Sequence, residues 1–256
     1  MEVRVHKDHT SANDVPHPGQ GWTRFVCISD THSHFPEIPL GDVLFHAGDM
    51  SSWGYPAQIQ QVFDWLVELP HPIKIVIGGN HDLCLDPDLH GVFEEGDEAQ
   101  LLVIRAFVRS EAVKERGIHY LEYEGMEFTT QAGETWKVYG SPAAPRHARG
   151  AFQYDDEETA KELYRKVPPD TEILLTHTPP FGVLDTSKKG KNAGCRYLAE
   201  RLRELHSCRL HVFGHMHEAF GTEVLGTDSG QRVAVNAAVA SRKSKPVVVD
   251  IRRYSS

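Results

Sequence analysis

The fold is decided by a pattern that residues 73–82, with the sequence IKIVIGGNHD, show most clearly. A short run rich in β-branched residues ends at two glycines, and three polar side chains follow at once. Such short apolar runs, bounded by Gly or Pro, predict buried strands. Four further runs lead into Asp or His in the same way: 25–32 (FVCISDTH), 43–49 (VLFHAGD), 173–180 (ILLTHTPP) and 210–217 (LHVFGHMH).

Segments with helical spacing of apolar residues lie between these runs. The pattern predicts helices over Tyr55–Leu69, Asp156–Val167 and Gly194–His206. Alternating strands and helices are typical of a layered α/β fold with parallel strands. Three later runs follow turn-like segments instead, and they predict a second, more mixed sheet: 136–139, 233–236 and 247–251. Residues 85–117 begin acidic and become apolar, which indicates an insertion packed beside the core.

Composition narrows the class of function. The 256 residues carry a formal net charge of −9, and 40% of them are hydrophobic. The apolar share supports a folded core, and the negative charge argues against binding to long nucleic acids or anionic membranes. No run approaches the roughly 18 apolar residues of a membrane helix, and no secretory signal is visible. The four cysteines include no C-x-x-C pair, so we expect reduced structural thiols and a cytoplasmic protein.

The polar blocks that end the strands predict a metal site. The carboxyl ends of parallel strands meet at one edge of a sheet, so these side chains should lie together. Alternate residues of an extended strand point to one side, so we expect Asp30 with His32, and His215 with His217, to converge. Carboxylate, imidazole and amide ligands suit Mn, Fe or Zn better than Ca or Mg alone.

In chain order the blocks are D-x-H, GD, GNHD, H and GHxH. This order resembles that of the calcineurin-like metallophosphoesterase superfamily, and five blocks in sequence are a specific signal. The resemblance implies two divalent metal ions about 3.5 Å apart. Mn²⁺ is the first expectation, with Fe, Zn or Mg as alternatives. The implied ligands are Asp30, His32 and His217 for the first ion, Asn80, His177 and His215 for the second, and Asp49 as a bridge between them.

The resemblance also implies a mechanism and a fold. A metal-bridging hydroxide would attack phosphorus in line, His81 would protonate the leaving oxygen, and Asp82 would orient His81. Two divalent ions, two carboxylates and one hydroxide leave a local charge of about +1, which can hold a phosphate ester. The expected fold is a four-layer α-β-β-α sandwich of two mixed sheets flanked by helices. Residues 22–256 would form this single domain, and residues 1–21 would form a flexible extension.

A closer likeness narrows the expected substrate. Four segments resemble the small metallophosphoesterase-domain-containing proteins, a branch that includes cyclic-nucleotide phosphodiesterases: 45–49, 139–142, 174–180 and 210–218. We therefore expect a phosphodiesterase acting on small diesters such as cyclic nucleotides. A phosphomonoesterase or Ser/Thr protein phosphatase is one alternative, although the D-R-G segment of protein phosphatases is missing after Asp49. A metal-binding scaffold with little activity is the other, and the oligomeric state stays open.

Several polar or aromatic residues near the blocks have two interpretations each. His34 and His46 lie beside predicted ligands and suit packing as well as support of the site. For Arg146, His147 and the basic loop 187–191, a solvated loop is favoured over contact with a phosphate. A packing role is at least as good as base stacking for Trp53 and Phe181, and Asn236 is assigned to a turn. His211 is assigned to packing.

Overall fold

Strands and helices follow one another along the chain largely as the apolar runs predict. The computed structural model describes residues 2–9, 11, 14–94, 96–240 and 244–253. The strands are β1 (Glu2–His6), β2 (Trp22–Ile28), β3 (Val43–Ala47), β4 (Ile73–Ile77), β5 (Ile118–Leu121), β6 (Glu124–Thr129), β7 (Thr135–Ser141), β8 (Ala144–Pro145), β9 (Gln153–Tyr154), β10 (Ile173–Thr176), β11 (Leu210–Phe213), β12 (Gly221–Thr227), β13 (Gly230–Asn236) and β14 (Val247–Arg252). The helices are α1 (Pro56–Glu68), α2 (Glu98–Val108), α3 (Glu111–Lys114), α4 (Glu157–Arg165) and α5 (Arg196–Glu204), with short 3-10 turns at Leu83–Leu85 and His217–Ala219.

Two six-stranded sheets form the centre of the molecule. The first has the order β1-β14-β2-β3-β4-β5, and β2 to β5 are parallel. The second has the order β12-β13-β11-β10-β7-β6, and β7, β10, β11 and β13 are parallel. Antiparallel strands complete both sheets, so each sheet is mixed. Each parallel set directs its carboxyl ends to one edge, where the polar blocks begin.

The core is divided into three apolar layers by these sheets. Phe25 and Cys27 of β2 pack between the sheets, while Val26 and Ile28 of the same strand pack beneath α1 and α2. The second sheet behaves likewise, since Leu174 of β10 contacts the layer beneath α4 and α5. Strands that are buried on both faces explain why the runs are continuously apolar. The four-layer α-β-β-α sandwich is confirmed.

Local sequence explains where the helices begin and end. Pro56 stands at the first position of α1, where its missing N–H costs nothing, and the Gln58 side chain accepts hydrogen bonds from two preceding backbone N–H groups. Pro70 follows the end of this helix. Asp156 caps α4 by accepting a hydrogen bond of 2.9 Å from the backbone N–H of Thr159. The three predicted helices are confirmed to within two residues at each end.

Two predictions about the periphery turned out differently. The run 247–251 was expected in the second sheet, but β14 lies in the first, antiparallel between β1 and β2. β14 forms antiparallel hydrogen bonds with β2, on the side of β2 that faces away from the parallel strand β3. From the expected extension, Glu2–His6 adds the edge strand β1 to the same sheet, and the domain boundary at residue 22 stays a prediction.

The helices and cysteines add three observations. Among the described residues, no helix is long and apolar enough to cross a membrane. The predicted insertion 85–117 contains α2 and α3, and Ile104 and Val108 of α2 pack on the first sheet's outer layer. All four cysteines are buried with free thiols, as expected.

Candidate metal centre

The polar blocks meet where the carboxyl edges of the two sheets face each other. β2, β3 and β4 of the first sheet lead into Asp30 with His32, Asp49, and Asn80 with His81. β10 and β11 of the second sheet lead into His177 and into His215 with His217. All seven predicted ligands therefore lie in one region. The sequence predicts that they converge, but it does not predict that both sheets contribute ligands.

The first cluster consists of Asp30, His32 and His217, whose ligand atoms all lie within 4.8 Å of one another. The Nε2 atom of His217 is 3.1 Å from Oδ1 of Asp30 and 3.3 Å from Nε2 of His32. One carboxylate and two imidazoles at this spacing can surround a single cation. This is the ligand set that the resemblance implies for the first ion.

The second cluster consists of Asp49, His177 and His215, again with ligand atoms within 4.8 Å of one another. Asn80 belongs with them, because its Oδ1 lies 2.9 Å from Nε2 of His177. The same Nε2 lies 3.3 Å from Oδ1 of Asp49, whose Oδ2 is 3.9 Å from Nε2 of His32. Asp49 thus stands between the two clusters, where a bridging carboxylate is needed. The combined carboxylate, imidazole and amide donors fit two borderline divalent metals.

Contacts behind the clusters fix how the donor atoms are presented. Nδ1 of His177 donates to the Ala47 carbonyl at 2.9 Å, so Nε2 is the atom left for a metal. Both oxygens of Asp30 accept from the backbone N–H of His215, at 2.9 and 3.1 Å. Oδ1 of Asp49 accepts from the backbone N–H of His81 at 2.7 Å. These bonds hold the donors in place before any cation arrives.

The backbone at the site is strained. Asp30, His32, Asp49 and His215 have φ angles of 54°, 45°, 52° and 65°, in the left-handed region that side chains rarely adopt. Strain of this kind persists where the surrounding structure enforces it, and it concentrates at functional sites. These φ angles also show that residues i and i+2 do not lie on extended strands, contrary to our expectation from the sequence. The ligands turn on tight loops rather than on extended strands, and His215 and His217 enter different clusters.

Glycines allow these tight loops to approach one another. A Cβ atom on Gly79 would lie 2.3 Å from the backbone nitrogen of Asp49. A Cβ atom on Gly214 would lie 2.0 Å from Oδ2 of Asp30. Both distances are far below van der Waals contact. Glycine at these two positions therefore allows the loops of the two clusters to pack closely.

The charges of the second cluster are strongly coupled. Burial would raise the pKa of Asp49, but the charge and hydrogen bond of His177 outweigh it and hold that pKa below its usual range. For His177, burial would lower the pKa, but the Asp49 charge and hydrogen bond raise it to about 9. Burial, helped by His177, lowers the pKa of His215 to about 3. A cation bound at Nε2 of His177 would have to displace a proton, whereas His215 would be neutral before a cation binds.

The part of the chain that matches a known protein family includes the whole candidate centre. The family model described as calcineurin-like phosphoesterase matches residues 23–219, which include all seven predicted ligands and His81. The chain belongs to the calcineurin-like phosphoesterase family. Its members are metal-dependent phosphoesterases, a class of hydrolase.

Curated relatives and one solved structure are similar to this chain to different degrees. Metallophosphoesterase domain-containing protein 1 of Homo sapiens is 34% identical over 244 residues, 93% of this chain and 74% of that protein. Probable rhamnogalacturonate lyase C of Emericella nidulans is 39% identical over 210 residues, which are 82% of this chain but 18% of that protein. The chain thus spans less than a fifth of the latter, and the lyase name describes a far longer protein. A dimetal phosphatase from Danio rerio aligns over 89% of this chain and 91% of that chain at 11% identity, with a TM-score of 0.45, too distant to add an argument.

Within this phosphoesterase the expected pairing of Asp82 with His81 is wrong. Nδ1 of His81 donates to the carbonyl oxygen of Ser52 at 2.9 Å. The buried Asp82 instead accepts from the backbone N–H groups of Met50, Ser51 and Gly79 and from the Ser51 hydroxyl, at 2.8–3.1 Å. Burial, followed by the Asp49 charge, raises the pKa of Asp82 to about 6 despite these bonds. Asp82 therefore joins the loops that carry Asp49 and Asn80, and the Ser52 carbonyl orients His81.

Two strand histidines support the ligand loops. Nε2 of His46 on β3 lies 2.9 Å from the hydroxyl of Thr31, between two ligands of the first cluster. Nε2 of His211 on β11 lies 2.8 Å from the hydroxyl of Thr176, directly before His177. Burial, the largest effect, lowers the pKa of His46 to about 3, so it bonds as a neutral ring. The packing assignment of His211 missed this contact, and its one sequence signal was its place in a strand that ends at a ligand.

Other flanking residues are also placed by the structure. The Asn236 amide donates to the carbonyls of Leu184 and Met216, at 3.1 and 2.9 Å, and so ties down the loop of His215. This is more than the turn role assigned from the sequence. Lys188 of the basic loop pairs with Glu218 beside His217. Trp53 is 68% exposed, whereas Phe181 is 39% exposed and has the Arg196 guanidinium over its ring, 4.9 Å from the centroid.

Proposed function

We propose that this chain hydrolyses the phosphodiester bond of small diesters, and that cyclic nucleotides are the substrate class. The proposal rests chiefly on one observation, the placement of Asp49 between two clusters that each offer carboxylate and imidazole donors. A shared carboxylate between two cation sites suits a phosphoryl group that spans both. The ligand assignment itself, of seven residues to two ions, is part of the proposal.

In the proposed reaction the metal ions would activate the phosphoryl group and a water molecule. When bound, two divalent ions supply Lewis acidity to the phosphoryl group and lower the pKa of a coordinated water toward about 7. Mn²⁺ is the proposed metal, because carboxylate ligands suit it and a mixed set of carboxylate and imidazole donors disfavours Ca and Mg. Asp30 and Asp49 compensate part of the positive charge. Their fixed hydrogen bonds keep the carboxylates aimed inward throughout the reaction.

His81 is the proposed general acid. Its backbone N–H is bonded to Asp49 and its Nδ1–H to the Ser52 carbonyl, so the ring is held from two sides. The ring centroid lies 4.8 Å from that of His32, at the edge of the first cluster. A carbonyl oxygen only accepts hydrogen bonds, so Nδ1 keeps its proton. Nε2 is then the atom that gives a proton to the departing oxygen of the ester.

Charge favours a diester over a monoester. Two divalent ions with two carboxylates and a hydroxide leave a centre of about +1, which matches the single charge of a diester. Among the described residues, Asp30 and Asp49 form ion pairs with histidines only. The nearby cations Arg146 and Lys188 are engaged by Asp155 and Glu218. The extra cation that would hold a monoester dianion is therefore missing from this part of the chain.

A cytoplasmic location is also proposed. It is supported by the four cysteines, all buried with free thiols. Disulfides form and persist mainly in oxidising compartments, and reduced thiols are typical of the cytosol.

The first experiment compares two chromogenic esters. Metal-stripped protein is assayed on bis(p-nitrophenyl) phosphate and on p-nitrophenyl phosphate, with and without Mn²⁺. We expect Mn²⁺-dependent turnover with a higher kcat/KM on the diester. Asp49→Asn and His81→Ala should each lower it by at least about a hundredfold, since general acid catalysis alone contributes about 10²–10⁴. The 3′,5′ and 2′,3′ cyclic nucleotides are then compared directly.

Other outcomes point to the alternatives. A higher kcat/KM on the monoester or on a phosphopeptide would replace the proposal with a phosphomonoesterase or a protein phosphatase. Two bound metal ions without turnover of any ester would favour a scaffold. Unchanged diester hydrolysis in Asp49→Asn would contradict the proposed centre itself.

A further inference from the structure

The segment between β8 and β9 forms a wall of the metal centre. The backbone N–H of Ala151 donates to the carbonyl of Asn80 at 2.9 Å, and a Cβ atom on Gly150 would approach that same carbonyl to 2.9 Å. The backbone N–H of Phe152 donates to the buried Asp86 at 2.6 Å. The segment is thus docked on the strand end that carries a predicted ligand.

His147 lies at the tip of this wall, beside the second cluster. Its exposed ring is 4.9 Å from the ring of His215, edge to face, and His215 in turn is 5.0 Å from His177. The ring of His81 has the matching position beside the first cluster, 4.8 Å from His32. Two imidazoles that are not predicted ligands therefore flank the centre, one at each cluster.

In both flanking rings Nδ1 contacts the protein. Nδ1 of His147 lies 3.5 Å from the side-chain amide of Gln153, and Nδ1 of His81 donates to the Ser52 carbonyl at 2.9 Å. Nε2 of each ring is therefore the atom left for a bound molecule.

We infer that His147 binds the substrate, with its Nε2–H donating to a non-bridging oxygen of the phosphoryl group beside the second cluster. The inference rests on the proposed function, because it requires a phosphoryl group between the clusters. A hydrogen-bond donor there strengthens binding as negative charge gathers on that oxygen. It makes the segment between β8 and β9 a determinant of substrate choice.

The test uses three variants of the Mn²⁺-loaded protein. His147→Ala removes the donor, His147→Gln keeps an N–H donor of similar reach, and His206→Ala removes an exposed imidazole at the far end of α5 as a control. Each variant is measured for bound Mn²⁺, for affinity for inorganic phosphate by titration calorimetry, and for kcat and KM on bis(p-nitrophenyl) phosphate. We expect His147→Ala to weaken phosphate binding and lower kcat/KM by about tenfold to hundredfold, as for a hydrogen bond to a charged group.

The remaining expectations make the inference refutable. His147→Gln should recover part of both losses, His206→Ala should match the parent, and all variants should bind two Mn²⁺ ions. Parent-like phosphate affinity in His147→Ala would overturn the inference. So would loss of one Mn²⁺, which would make His147 a ligand instead. If the parent hydrolyses no diester, the proposed function fails, while the phosphate affinities still decide the role of His147.

Discussion

Replacing Gly214 by alanine should disable the first ligand cluster. The added Cβ would lie 2.0 Å from Oδ2 of Asp30, 2.1 Å from Oγ of Ser29 and 2.6 Å from Cβ of Ser29. Asp30 is fully buried and both of its oxygens are bonded to the backbone N–H of His215, so it has no free space to enter. Relief of the contact requires Asp30 or the backbone after β11 to move by more than an ångström.

The magnitude follows from two losses. Overpacking a tight interior costs typically about 1–3 kcal/mol. Breaking the hydrogen bonds between the Asp30 carboxylate and the N–H of His215 costs about 1.5–3 kcal/mol. We therefore expect the free energy of unfolding to fall by about 3–5 kcal/mol, and Tm to fall by about 2–4 °C per kcal/mol for a chain of this size. A displaced Asp30 also removes one ligand and changes the position of a second.

The assay pairs Gly214→Ala with Gly226→Ala. A Cβ atom on Gly226 meets nothing within 4 Å, so this variant adds the same methyl group without a contact. Bound Mn²⁺ is measured by elemental analysis after dialysis, and Tm by circular dichroism on metal-free protein. We expect about one Mn²⁺ per chain or fewer in Gly214→Ala, and parent values in Gly226→Ala. Two tightly bound Mn²⁺ ions and an unchanged Tm in Gly214→Ala would refute this reasoning.

Three other perturbations test the supporting structure. Asp82→Ala leaves three buried backbone N–H groups without an acceptor and should lower Tm, at about 1–3 kcal/mol for each orphaned group; an unchanged Tm in a thermal melt would contradict its role between the loops. Arg24→Met breaks a buried ion pair with Asp250 and should cost about 3–5 kcal/mol in a urea titration, with kcat/KM of the folded enzyme unchanged. Because the pKa of His177 rises from 6.5 to about 9, its contribution to metal-free stability is complete below pH 6.5 and lost as pH rises through 9. Tm of the stripped protein should fall and Mn²⁺ affinity should rise over that range, and the opposite trend in calorimetry would exclude the coupling.

The residues of the candidate centre were predictable because each lies directly after an apolar run in the sequence. Each ligand follows an apolar run within a few residues, as Asp30 follows β2 and His215 follows β11. Burial on both faces forces such runs to be continuously apolar, so the strands and their ends are visible without a structure. The glycines at 79 and 214 also carry a local signal, since only glycine fits so close to the backbone of Asp49 and to the side chain of Asp30.

The contacts of individual side chains were less predictable. Asp82 is adjacent to His81 in sequence, yet its carboxylate turns toward Met50 and Ser51 on another loop. Adjacent residues share a backbone but not a side-chain direction, and the direction depends on which loop packs alongside. The contact of His147 with His215 was equally unpredictable, because it depends on the docking of the His147 segment on Asn80.

The sequence by itself indicated the strands that lead into the centre, three of the helices and the residues proposed as metal ligands. The spacing of apolar residues within a segment reflects which of its faces are buried, so each strand or helix can be predicted from its own segment of sequence. The tertiary structure decided which strands share a sheet, as the place of β14 shows, and that ligands from two sheets meet at one point. It also decided that Asp49 lies between the clusters and that His147 lies at their edge. These are relations between distant segments, and their energies depend on packing that no single segment contains.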